Sequence, residues 1–238
     1  MQSSFERHFY YWILPTFSIV MIGLLYYTGI PILQTIIAPE ITRELGLLEN
    51  TQHLLIIGVI CLAVYGYRRS ESKLEHFGFA AAVCLATVQL LEEINYGQHY
   101  LALFDIVPPQ REVGPMSLHN VEGVSSQLKR VGDLVILLYF FLFPLLAANR
   151  GPAWLRYLAP PKLIALTVLC SVLVTKFFHF VSDNTSIEYN AFDRGVSEFR
   201  ETFTYYFVMV YIYELAHNRR WPGFGKTGKS IYRNADNA

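Results

Sequence analysis

The stretch QLLEEINYGQHY, residues 89–100, places two adjacent carboxylates inside a long apolar run. A charged side chain at a membrane helix centre costs about 2.5–3.5 kcal/mol on insertion scales, so each one is by default a functional-site hypothesis. Gln89, Glu92/Glu93, Tyr96 and His99/Tyr100 follow i, i+3/4, i+7 spacing, which predicts one polar stripe facing a bundle interior or a wet cavity. Three more stretches share this character. KFFHFVSD, residues 176–183, puts Lys176, His179 and Asp183 on one helix face, and His179 and Asp183 at i, i+4 are able to touch one cation. SEFRETFTYY, residues 197–206, aligns Glu198, Glu201 and Tyr205, with Arg200 nearby. SLHNVEG, residues 117–123, supplies His119, Asn120 and Glu122.

Imidazoles and carboxylates facing one cavity suit a divalent metal such as zinc. A catalytic zinc takes three protein ligands and a water. The water's pKa falls to about 7, and a remaining carboxylate serves as general base or acid. On this reading His119, His179 and Asp183 are the ligands and Glu92 or Glu93 is a ligand or the base. Tyr96 and Asn120 stabilise an oxyanion, and Gln89, His99, Glu122, Lys176, Glu198 and Glu201 complete the polar cluster. Structural readings compete at each position. Glu198 and Glu201 suit a helix N-terminus, where carboxylates meet the positive dipole end. Glu92 and Glu93 suit an interhelical pair with Lys176 or an arginine. Asp133 reads as a cap or charge partner, and Glu214 with His217 as side chains that snorkel. HExxH and paired-histidine motifs are absent from the sequence.

The elements that position these residues are membrane helices. The 238-residue chain is 53% hydrophobic and 16% charged, with a mean hydropathy of +0.31. Soluble domains carry about 25% charged residues. Crossing ~30 Å of hydrocarbon takes about 20 apolar residues. Six stretches meet or approach this: 9–30, 52–67, 77–101, 131–148, 162–182 and 200–217, the second extending back towards Glu49. The first is too long for the apolar region of a cleaved signal and is expected to be retained. The expected fold is an all-α polytopic integral membrane helical bundle of about six spans over residues 1–220, with a basic cytoplasmic tail, 221–238. Cys61, Cys84 and Cys170 lie in apolar runs without metal-type spacing and read as small hydrophobes.

Basic residues set the orientation. With both termini in the cytoplasm, twelve Lys and Arg fall inside and six outside, and Lys176 stays within a span. All four polar stretches then share the extracytoplasmic end, and a bacterial inner membrane is the expected location. The string GFGKTGKS, residues 223–230, satisfies a phosphate-loop pattern. Such a loop needs a strand before it and a helix after it. Here a predicted membrane helix precedes it and eight residues follow, so no nucleotide is expected. The tail reads as a basic anchor for anionic lipid. Zero net charge gives no basic field for nucleic acid.

EEINYGQ at 92–98, LHN at 118–120 and the acidic start of the last span resemble a group of bacterial polytopic membrane proteins with an EEI-x-W/Y-GQ…LHN pattern. Tyr96 stands where Trp is more frequent in that pattern. The design is also similar to the alkaline ceramidase-like membrane hydrolases. That resemblance implies a zinc site of His, Asp and Ser between helices. Those proteins usually have seven spans and a late H-x-x-x-H, where this chain has His179-x-x-x-Asp183 and six predicted spans. Glu92-Glu93 partly matches intramembrane CAAX-type proteases, whose pattern needs an Arg near Gln98.

The expected function is a metal-dependent hydrolase or transferase acting on a lipid or lipid-linked substrate at the extracytoplasmic side. Membrane lipids are its expected partners. The competing expectations are a proton- or ion-coupled transporter, with Glu92, Glu93, Lys176 and His179 as a relay, and a non-catalytic assembly subunit. The charge count makes one testable statement. A periplasm-active phosphatase fused after residue 115 is expected to be active, and one fused after Ser230 inactive. The reverse pattern would invert the topology.

Overall fold

The computed structural model describes residues 4–39, 46–104, 106, 124–146, 152–184 and 196–218. His119, Asn120, Glu122 and the 223–230 string lie outside these residues, as does the side chain of His99. The described residues are helical. In chain order they form α1 (Ser4–Tyr27), α2 (Pro31–Ile37), α3 (Leu47–Arg69), α4 (Lys73–Glu93) and α5 (Gln98–Leu103). A long helix follows in three joined pieces, Val124–Val135, Ile136–Leu142 and Phe143–Leu146, together called α6. Then come α7 (Ala153–Leu158), α8 (Lys162–Asn184) and α9 (Val196–Tyr213), which a wider turn, Glu214–Asn218, prolongs.

Four helices are long and apolar enough to cross a membrane: α1, α3, α4 and α8. The other two expected spans fall on α6 and α9. Glu198, Arg200 and Glu201 make the start of α9 too charged to stand beside those four on composition.

Local chemistry sets the boundaries. Pro31 opens α2 after extended Ile30, because proline fits the first turn. The Ser72 hydroxyl caps α4 by accepting from Leu74 N–H at 3.3 Å. The expected continuous helix over 77–101 is broken: α4 ends at Glu93, and Asn95, Tyr96 and Gly97 all take positive φ, at 46°, 55° and 88°. Glycine adopts that conformation freely and asparagine tolerates it, whereas tyrosine there is strained. Glu92 and Glu93 are therefore at the end of α4 rather than well inside a helix.

Packing follows from pairs of contacts. Gln52 meets Glu198 and Thr202 at one end of α3, and Tyr65 stacks on His217 at the other, so α3 and α9 run parallel. Phe79 lies on Gly66, which makes α3 and α4 antiparallel. Phe178 stacks on Phe199 at 4.9 Å, so α8 runs against α9. Thr167 donates to the Tyr11 carbonyl and Phe178 covers Gly23, so α1 runs alongside α8. The order across the bundle is α4, α3, α9, α8, with α1 and α6 packed on α8. The ends of α4 and α8 and the starts of α3 and α9 thus meet at one end, called here the polar end. Phe178, Phe199, Phe203 and Phe207 are fully enclosed between α8, α9 and their neighbours. At the opposite end, Glu214 is buried and accepts from the Tyr11 hydroxyl, so it does not snorkel as its spacing had suggested.

A Cβ at Gly23 would sit 2.1 Å from Phe178 Cζ, whereas one at Gly78 meets nothing within 4 Å. Gly23→Ala is expected to destabilise by about 1–3 kcal/mol through overpacking against an enclosed ring. Gly78→Ala is expected to be neutral or stabilising by up to about 1 kcal/mol. Thermal unfolding of the detergent-purified protein checks the pair, and equal effects would contradict the close approach of α1 and α8.

Candidate functional site

Three polar contacts tie α3, α4 with its extension α5, and α9 together at the polar end. On the α4–α9 side, Gln89 Nε2 donates to Glu93 Oε1 at 2.7 Å and to the Tyr205 hydroxyl at 2.9 Å, and Tyr205 itself donates to Glu93 Oε1. One turn of α4 brings Gln89 and Glu93 together at i, i+4, and Tyr205 reaches them from α9. Glu93 is half-buried, and its described hydrogen bonds all fall on Oε1.

Between α3 and α9, Gln52 is fully enclosed. Its Nε2 lies 3.1 Å from Glu198 Oε2, 3.2 Å from the Glu198 carbonyl and 3.2 Å from Thr202 Oγ1. Its own carbonyl oxygen is buried without a hydrogen-bond partner among the described residues. Thr202 returns its hydroxyl proton to the Glu198 carbonyl at 2.8 Å.

Between α3 and α5, His53 Nδ1 lies 3.0 Å from the Tyr100 hydroxyl, which donates to Asn50 Oδ1 at 3.3 Å. The two bonds form a chain when His53 Nδ1–H is the donor. Burial first, and the Glu49 carboxylate second, hold the Tyr100 phenol above its ordinary pKa. Beyond the end of α4, Tyr96 donates to Glu92 Oε1 at 2.5 Å, and Asn95 donates to Gln98.

The expected site residues divide into two groups. Glu92, Glu93, Gln89, Tyr96 and Glu198 lie in or beside this polar layer. Tyr96 leaves the expected stripe, because the left-handed turn directs it outward, 47% exposed. Glu201 is half-buried one turn before Tyr205. Lys176, His179 and Asp183 stand instead on the exposed face of α8. Helices α9 and α3 lie between α8 and α4 in the packing order. Among the described residues no three His, Cys, Asp or Glu side chains are grouped to hold a metal ion. Asp133 is a charge partner, paired with Arg200 at 3.1 Å across α6 and α9.

Sequence reasoning passed over the head of α3. Glu49, Gln52 and His53 are all buried, and Asn50 joins them in the hydrogen bonding. The signal was present in ENTQH, residues 49–53, whose polar residues at i, i+3, i+4 open an apolar run.

No protein family, curated protein or solved structure matches the chain.

Tyr205→Phe removes one donor to Glu93 and is expected to lower stability by about 1–3 kcal/mol. Combined with Gln89→Leu, the loss is expected to depart from additivity by more than about 0.5 kcal/mol, because both donors serve one oxygen. Denaturation of the single and double variants measures this. Strictly additive losses would mean that the three groups do not act as a unit.

Proposed function

We propose that the protein is a six-span membrane hydrolase or transferase for a lipid or lipid-linked substrate. On this reading both termini are cytoplasmic and the polar end is extracytoplasmic. The observation that carries the proposal is the setting of Glu93. Tyr205 and Gln89 fix its Oε1 from two helices, leaving Oε2 without a described hydrogen bond. A carboxylate oriented in this way is suited to general-base work, which contributes about 10²–10⁴-fold to a rate. Glu93 takes a proton from water or an acceptor hydroxyl as that oxygen attacks an ester or phosphoester, then returns it to the leaving oxygen. Glu92 stands at the same helix end, and its Oε1 accepts the Tyr96 hydroxyl.

Zinc has weaker support in this reading. Two of its three expected ligands, His179 and Asp183, project from α8 on an exposed face, and the third, His119, is outside the described residues. Acid–base chemistry at Glu93 does not depend on them. A coupled transporter is less well supported. Between the polar end and Glu214 the core is built from Val59, Ala63, Phe140, Phe207 and Ile212, an apolar block rather than a relay. An assembly subunit is the second reading, favoured by the internal hydrogen bonding of Glu198 to Gln52.

The test uses the purified chain with a panel of phospholipids and polyprenyl-phosphate lipids, with products followed by mass spectrometry. Turnover of one lipid class is expected, and Glu93→Gln is expected to lower it by about 10²-fold or more at unchanged melting temperature. Wild-type rates in Glu93→Gln would remove Glu93 from the chemistry. A folded protein inert towards the whole panel would favour the assembly subunit. Elemental analysis of the same preparation tests for zinc.

A further inference from the structure

Helix α8 carries one line of exposed side chains along its length. Read towards Asn184, the line is Leu166, Leu169, Leu173, Lys176, Phe180 and Asp183, with His179 beside Phe180. The spacing alternates three and four residues, so these positions form one face. The three leucines and Phe180 are 39%, 43%, 59% and 65% exposed. Lys176, His179 and Asp183 are exposed as well, and none makes a hydrogen bond or ion pair with a described residue. α8 is also long and apolar enough to cross a membrane. An ammonium on such a surface is costly unless something of opposite charge meets it.

We propose that this face binds one amine-bearing phospholipid. Its acyl chains lie along Leu166, Leu169 and Leu173, its phosphate meets Lys176 and His179, and its primary ammonium meets Asp183. Charge order selects this occupant. From Lys176 to Asp183 the helix rises about 10 Å, presenting a cation, an imidazole and then an anion. Moving outward through a phosphatidylethanolamine leaflet, the chemistry is acyl chain, phosphate anion, ammonium cation, which complements the face at each level. A purely anionic headgroup would set its charge against Asp183. A second copy related by a two-fold axis along the membrane normal would set Lys176 beside Lys176, because equal residues lie at equal depth. The match holds in whichever leaflet the polar end lies, and it is independent of the chemistry proposed at Glu93.

The full-length protein is reconstituted in nanodiscs containing equal amounts of phosphatidylethanolamine, phosphatidylglycerol and phosphatidylcholine, and the lipids retained on release are counted by native mass spectrometry. Preferential retention of phosphatidylethanolamine is expected. Lys176→Gln is expected to reduce that retention about tenfold, the scale of one charge-assisted hydrogen bond. Asp183→Asn is expected to abolish the preference over phosphatidylglycerol without loss of total bound lipid. Both positions are exposed, so melting temperatures are expected to stay at the wild-type value. Equal retention of the three headgroups by the wild type would overturn the proposal. So would wild-type selectivity in both variants. A dimer that Lys176→Leu dissociates, with lipid retention unchanged, would show instead that a second copy covers the face.

Discussion

The carboxamide of Gln52 is the contact on which the polar end depends. It is enclosed between two helices, away from any solvent, and a buried amide without partners is destabilising by about 1–3 kcal/mol. Its N–H donors turn towards Glu198 and Thr202, and this holds the starts of α3 and α9 side by side. Neither helix is able to rotate about its axis without breaking these bonds. That fixed rotation presents Tyr205 to α4 and His53 to α5. The other two polar contacts are consequences of the same alignment. At the far end, Tyr65 and Tyr213 stack on the two faces of His217, both at 4.5 Å between ring centroids, and keep the parallel pair in register.

The left-handed turn at Asn95–Gly97 does the corresponding work for α4. A continuous helix would have carried Tyr96 and Tyr100 along one line with Gln89 and Glu93. The turn sends Tyr96 outward and back onto Glu92, and sends Tyr100 across to Asn50 and His53. Strain of the order of 1–3 kcal/mol is typical of a non-glycine residue in that backbone region. Here Tyr96 is strained, and its hydrogen bond to Glu92 helps offset the cost. The two adjacent carboxylates end with different partners as a result. Glu93 is held by Tyr205 of α9, whereas the Tyr96 hydroxyl that Glu92 accepts comes from its own chain, four residues on.

An apolar block separates this layer from the other polar contacts. Aromatic rings fill it, with Phe140 on Phe207 at 4.9 Å and on Tyr211 at 5.6 Å. Such rings bury large areas at low conformational cost and prefer offset or edge contacts. The polar layer therefore lies at one end of the bundle, backed by packed rings. α4 is the exception to this enclosure: only 6% of its apolar stretch is buried, and Phe77 and Leu85 are each 72% exposed. The helix that carries Glu93 is thus a peripheral one, with a large apolar surface facing outward for lipid.

Composition alone determined the class of fold. Long apolar runs with few charges make membrane helices, since backbone polar groups in hydrocarbon are satisfied internally. α1, α3 and α8 fall where those runs predict, and α4 covers most of its run but stops at Glu93. Spacing also determined that Gln89 and Glu93 share a face, because 3.6-residue periodicity is local. What periodicity does not contain is the partner across a helix interface. Lys176, His179 and Asp183 have the same regular spacing as Gln89 and Glu93, yet one set points outward and the other inward. That difference depends on the rotation of each helix against its neighbours, set by close approaches such as Phe178 on Gly23 and by buried bonds such as Gln52 to Glu198. The role of ENTQH at the head of α3 was likewise settled only by what lay opposite it. A polar residue within an apolar run signals that a partner is needed, and only tertiary packing supplies one.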